Sequence, residues 1–147
     1  MLKLIDEFDF TLTKEDILKG QGIDPDRASQ RLQESAESVI EETHALIKPR
    51  ALYDQLDILS VEHNRINFDG GFFEGSLALR AMAGADHLNI GICTIGDALD
   101  IRVEELMKDN LVQALSLDGA GIAAIIKVSQ AVRDLICSDE LKHNYHY

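Results

Sequence analysis

Two short stretches hold the residue types from which a binding site could be built. Gly91-Ile92-Cys93-Thr94-Ile95-Gly96-Asp97 places Thr94, Gly96 and Asp97 where an apolar run stops and a helical pattern starts. Backbone N–H groups at such a turn, reinforced by the positive end of a helix, can hold an anion or the polar end of a cofactor. The same glycine turn is also what joins any buried strand to a helix, so it carries no reaction by itself. Asp118-Gly119-Ala120-Gly121 lies inside the most apolar helical pattern of the chain. Two glycines there cost about 1 kcal/mol each relative to alanine, which calls for close approach of another helix or of a ligand. A carboxylate in that setting needs a hydrogen bond, a cleft or an interface. A cleft near Gly96 and Asp118 is therefore the place where chemistry could gather.

No catalytic set stands out beyond it. The histidines His44, His63, His87, His143 and His146 form neither H-x-x-x-H nor H-E-x-x-H, and no metal site is expected. G-x-S-x-G, P-loop and G-x-G-x-x-G patterns are absent, and no nucleophile–base pairing can be argued, so the catalytic residues are unknown. Cys93 and Cys137 have no C-x-x-C spacing and read as buried free thiols of a cytoplasmic protein.

The elements that must position these residues follow from punctuation and periodicity. Leu88 to Ile95 is a short apolar run that fits a buried central strand, and Gly96 ends it. Asp97 is placed to N-cap the helix DALDIRVEELMKDN. The next helix, from Leu111 to Cys137, is apolar around most of its surface, leaving a narrow polar stripe of Gln113, Ser116, Lys127, Gln130 and Asp134. Such a helix belongs in a core or against a partner. Upstream, Thr13 with Asp16 starts a short helix over Lys14 to Lys19, ended by Gly20 and Gly22. Asp24-Pro25 opens an amphipathic helix expected from about Asp26 to Lys48, stopped by Pro49. Leu56 to Val61 and Ile66 to Phe68 alternate as two strands. Phe72 to Gly75 reads as an apolar turn, Ser76 caps a helix that Gly84 closes, and the tail LKHNYHY is irregular. Without a βαβ rhythm, the expected class is α+β: a small, mainly antiparallel sheet flanked by helices, with a long buried C-terminal helix.

Composition narrows the function classes. A chain of 147 residues is expected to be a single domain, 1–147. Its net charge of −12 argues against binding nucleic acid or an anionic membrane surface. No uninterrupted apolar run approaches the ~18 residues of a membrane span, and Met1 to Phe10 carries acids where a secretory signal has bases. A cytoplasmic location is expected.

Four blocks, taken in order, carry a family resemblance. They are Ala45-Leu46-Ile47-Lys48-Pro49-Arg50-Ala51-Leu52-Tyr53; Phe68 to Ala85, of Phe-x-Gly-Ser-x-x-Leu character; Cys93-Thr94-Ile95-Gly96-Asp97-Ala98-Leu99-Asp100; and Ala114-Leu115-Ser116-Leu117-Asp118-Gly119-Ala120-Gly121. Over roughly Ile17 to Ile136 the chain resembles the activation domain, the S-adenosylmethionine-binding region, of cobalamin-dependent methionine synthase, and its stand-alone relatives in corrinoid-dependent methyl transfer. The resemblance implies that fold and an accessory or reactivation role. S-adenosylmethionine would be the cofactor, with Thr94, Gly96, Asp97 and Asp118 as the binding candidates. Cobalamin would enter only through a partner, a corrinoid protein or methyltransferase. The alternative is a non-catalytic oligomeric or partner-binding protein that keeps the fold without the cofactor site.

The chain departs from the family in two places. The family's Arg-x-x-x-Gly-Tyr ligand motif follows the long helix, but the ten residues after Cys137 contain neither arginine nor glycine. Methionine synthase carries a glutamate on that helix, where Leu111 to Asp139 has only the acids Asp118, Asp134 and Asp139. A domain lacking the family's C-terminal portion is expected to expose part of helix 111–137. That surface would be covered by a homo-oligomer or a hetero-complex.

Overall fold

Local capping chemistry sets the first helices of the computed structural model, which describes residues 1–142. The Thr13 hydroxyl accepts from the Asp16 N–H at 3.2 Å and the Asp16 carboxylate accepts from the Thr13 N–H at 3.0 Å. This reciprocal box starts helix α1, Lys14–Gly20. Asp24-Pro25 opens only one 3-10 turn, Pro25–Arg27. Ser29 then caps α2, Gln30–Ser38, and α3 follows over Ile40–Leu46. The continuous helix expected over 26–48 is thus broken at Val39 (φ −96°, ψ −3°). Ser38 Oγ donates to Ser35 O at 2.8 Å, the carbonyl that Val39 N–H would use in an unbroken helix, whereas Val39 O accepts from both the N–H and the hydroxyl of Thr43.

These helices pack with α5, Ala98–Asp109, and α6, Leu111–Lys142. Their core holds Ile17, Leu18, Ala36, Val39, Leu99, Leu117, Ala120 and Ala124, none more than 2% exposed. Leu141 and Lys142, expected in an irregular tail, continue α6; residues 143–147 lie outside the described residues.

The strands are β1, Lys3–Ile5; β2, Arg50–Glu62; β3, Arg65–Phe68; β4, Gly71–Glu74; and β5, His87–Thr94. They run in the order β1-β2-β3-β4, with β5 also paired to β2. The β2–β3 and β3–β4 pairs are antiparallel, and a register irregularity between Ile58 and Ser60 disturbs the first. Two expectations fail here. Phe72–Glu74 is strand rather than turn, because Gly70 at φ +94° makes a tight reversal that leaves the phenylalanines extended beside β3. β5 is not a buried central strand: it pairs with β2 alone among the described strands, and Ile92 is 71% exposed. The helix α4, Ser76–Ala81, begins after Gly75 (φ +119°), which takes the cap position expected of Ser76.

The fold is α+β, with a long C-terminal helix that is partly buried. The chain gathers into two compact units. One is the sheet unit, Met1–Leu4 with Leu52–Ile92; the other is the helical unit, Ile5–Ala51 with the chain from Cys93 onward.

Candidate functional site

The candidate residues belong to the helical unit, and α6 organises them. Its two glycines seat neighbouring helices. A Cβ on Gly119 would lie 2.8 Å from Ile17 O and nearer still to Gln21 Cγ, at the end of α1. A Cβ on Gly121 would lie 2.8 Å from Leu99 Cδ2, at the start of α5. Both distances are well inside ordinary van der Waals contact. Close helix approach therefore accounts for the Gly119-Ala120-Gly121 run.

The polar stripe of α6 turns partly inward. Ser116 is fully buried, its hydroxyl 2.8 Å from Ser35 Oγ of α2. Lys127 reaches Asp16 of α1 at 3.3 Å. Burial pushes the Asp16 carboxyl up, but the Thr13 N–H and hydroxyl and the Lys127 ammonium pull harder, and it titrates below its ordinary value. With Ser116 and Lys127 turned to α2 and α1 while Gln130 and Asp134 stay exposed, α6 leaves an aliphatic face outside. Leu111, Leu115, Ile122 and Ile126 are 57%, 45%, 41% and 48% exposed, and Asp118 sits among them. Their intervals of three, four and seven residues keep them on one side of a 3.6-residue helix.

Between this face and the end of α1 is a cavity of about 330 Å³, lined by Gly20, Gln21, Ile23, Leu32, Val112, Leu115, Asp118 and Ile122. It is mostly aliphatic, with one carboxylate at its edge. The Gln21 side-chain oxygen is buried and has no hydrogen-bond partner among the described residues. A buried acceptor left unpaired costs about 1–3 kcal/mol, so a donor arriving there would be welcome.

Asp118 lines that cavity; Thr94, Gly96 and Asp97 do not. Those three form the turn from β5 to α5. Gly96 takes φ +82°, its N–H donates to Thr94 Oγ1 at 3.0 Å, and Ile95 O accepts from Lys48 N at 2.7 Å. Asp97 makes no side-chain cap bond, and Asp100 follows in the first turn. Thr94 thus uses the amide that Gly96 would offer a ligand, and two carboxylates offset the positive helix end. All four sequence candidates are exposed, but the geometry groups only Asp118 with a cavity.

Gln21, Ile23 and Leu32 had no signal as site residues. The Gly20-x-Gly22 break marks where the chain turns after α1, but nothing in the order of residues says that this turn meets Asp118. No protein-family model matches the chain, and no curated protein matches it in sequence.

Among the described residues no group of three or more His, Cys, Asp or Glu side chains is placed to hold a metal ion. An 18-residue window of α6 reaches a mean hydropathy of 1.6, enough in length and composition for a membrane span, and half of that window is buried inside the protein.

Proposed function

We propose that this chain is a binding module, an accessory of corrinoid-dependent methyl transfer, that works by docking on protein through the open face of α6. One observation carries the docking: Leu111, Leu115, Ile122 and Ile126 are exposed in line while Ser116 and Lys127 of the same helix turn to α2 and α1. Large aliphatic side chains aligned on a helix are a costly surface to leave in water and a common way to recognise another helix. The corrinoid setting is supported by the four ordered sequence blocks and by them alone. Cobalamin would be contributed by the partner, a corrinoid protein or methyltransferase.

A second reading gives the cavity to S-adenosylmethionine. A volume of about 330 Å³ lies at the small end of ligand sites. The Asp118 carboxylate would attract the ammonium or sulfonium charge of that molecule, while the aliphatic walls suit its methylene groups. In this reading Asp118 alone of the four sequence candidates meets the ligand.

Purified corrinoid protein captured on the immobilised chain, with capture lost on Ile122→Asp, is the expected result for docking. Capture that ignores Ile122 would sink it. Calorimetry with S-adenosylmethionine and S-adenosylhomocysteine addresses the second reading: heat that disappears in Asp118→Asn supports it, and no heat with either compound removes it.

A further inference from the structure

We infer that the open face of α6 is a self-complementary seam, closed by a second copy of the chain running antiparallel, with each copy's Arg133 entering the other's cavity beside Asp118 and Gln21. This rests on reading that face as a docking surface and seats a second copy of the chain there, so that a corrinoid protein would reach it only by displacing that copy.

The face continues past Ile126. Leu111, Leu115, Asp118, Ile122, Ile126, Ser129 and Arg133 follow one another at intervals of three or four residues, and all are exposed. Asp118 and Arg133 are the only charged residues in that row, and neither makes an ion pair among the described residues. They stand fifteen residues apart, about 22 Å along the helix, too far to pair within one copy. The row is charge-balanced on a protein whose net charge is −12.

The midpoint between Asp118 and Arg133 falls at Ile125 and Ile126. A two-fold axis there sets each Arg133 beside the other copy's Asp118, twice over, and closes isoleucine on isoleucine at the centre. A parallel pairing would instead oppose Asp118 to Asp118, which is repulsive. The cavity also fits this guest. An arginine stem is aliphatic, matching Ile23, Leu32, Leu115 and Ile122, and its guanidinium carries enough donors for a carboxylate and one more acceptor. The Gln21 oxygen, unpaired but closed off from solvent in the single copy, becomes that further acceptor once its amide turns into the cavity.

The test is the mass of the full chain by sedimentation equilibrium across micromolar concentrations at physiological ionic strength, where the net-charge repulsion is screened. A dimer is expected. Asp118→Arg and Arg133→Asp should each weaken it about tenfold or more, and the double variant should recover wild-type affinity. With Cys93 and Cys137 changed to serine, Ile126→Cys should form a disulfide to its own counterpart, whereas Leu111→Cys, at the end of the seam, should not. A monomer throughout overturns the inference, as does a dimer that ignores both charge reversals or is not rescued by the double one. Flotation on phosphatidylcholine vesicles that depends on Ile122 would overturn it too, assigning the face to lipid. A monomer that still captures a corrinoid protein through Ile122 removes the second copy and leaves the docking reading standing.

Discussion

In the helical unit Ile17, Leu117 and Val128 are fully enclosed, whereas in the sheet unit Leu59, Val61, Leu77 and Ile92 are each 60% exposed or more. The difference is one of geometry rather than of hydrophobic content. In the helical unit, glycine and alanine on α6 let α1 and α5 approach closely, so few residues enclose a great deal of surface. The sheet unit is built from strands of three, four and four residues around the two longer ones. Among its residues only Tyr53, Ile66 and Leu88 are buried apolar positions. Its stabilising contacts are superficial: Phe68 and Phe73 meet as tilted rings 5.0 Å apart, Arg65 lies over Phe72 at 4.1 Å, and Arg65 pairs with Glu74. The lesson is that exposed aliphatic residues carry different information in the two regions. On the sheet they are scattered, as a small sheet must leave them. On α6 they form one row beside a well-packed core, and there exposure points to a partner.

The contrast can be pressed by substitution, measured as the shift in urea unfolding free energy. Leu117→Ala should have the largest effect, a loss of about 3 kcal/mol or more, because the site is enclosed by rigid neighbours and leaves a cavity. A loss under about 1 kcal/mol would mean that the helical core is far looser than its burial implies. Gly119→Ala should follow at about 2–3 kcal/mol, since its Cβ would meet the backbone oxygen of Ile17. If this variant is neutral, α1 does not hold its close approach to α6 in solution.

Asp16→Asn comes next, at about 1 kcal/mol, through the weakened capping box and the lost Lys127 pair. Its pH dependence has a definite sign. The Asp16 carboxyl titrates lower in the folded chain than in the unfolded one, so its contribution is complete above the ordinary carboxylate range and fades as pH falls below that range. The wild-type advantage over Asp16→Asn should therefore shrink in acid, and a constant gap would rule out the ionised pair as its origin. Smallest of all, Glu74→Gln on the sheet should change stability by less than about 0.5 kcal/mol, since both partners are solvated. A larger loss would erase the contrast drawn here and make the hairpin a structural centre.

Much of the helical unit was legible in the sequence because its signals are local. Thr13 with Asp16 marks a start, Gly20 an end, and the glycines inside α6 demand a close neighbour whatever that neighbour is. The helix expected over 26–48 is interrupted at Val39, where no glycine or proline marks a break in the order of residues. The Ser38 hydroxyl bonds back to Ser35 O there, while Val39 O keeps the Thr43 N–H and resumes the helix. The strand Gly71–Glu74 was missed because two adjacent phenylalanines break the alternation that identifies a strand, and its pairing with β3 depends on the turn at Gly70. At the candidate site Asp118 was found and Gln21 was not. A carboxylate in an apolar run is visible in one dimension, but a buried amide without a partner exists only after α1 and α6 have met.

The sequence by itself determined that the last helix is long, apolar nearly all round, and in need of intimate neighbours at Gly119 and Gly121. It could not determine which side of that helix faces out, because residues that are apolar in every direction give the helical period nothing to choose between. Tertiary structure made the choice. Gly119 and Gly121 admit α1 and α5 at two angles around α6, Ser116 and Lys127 find their partners on α2 and α1, and the arc left over is the aliphatic row.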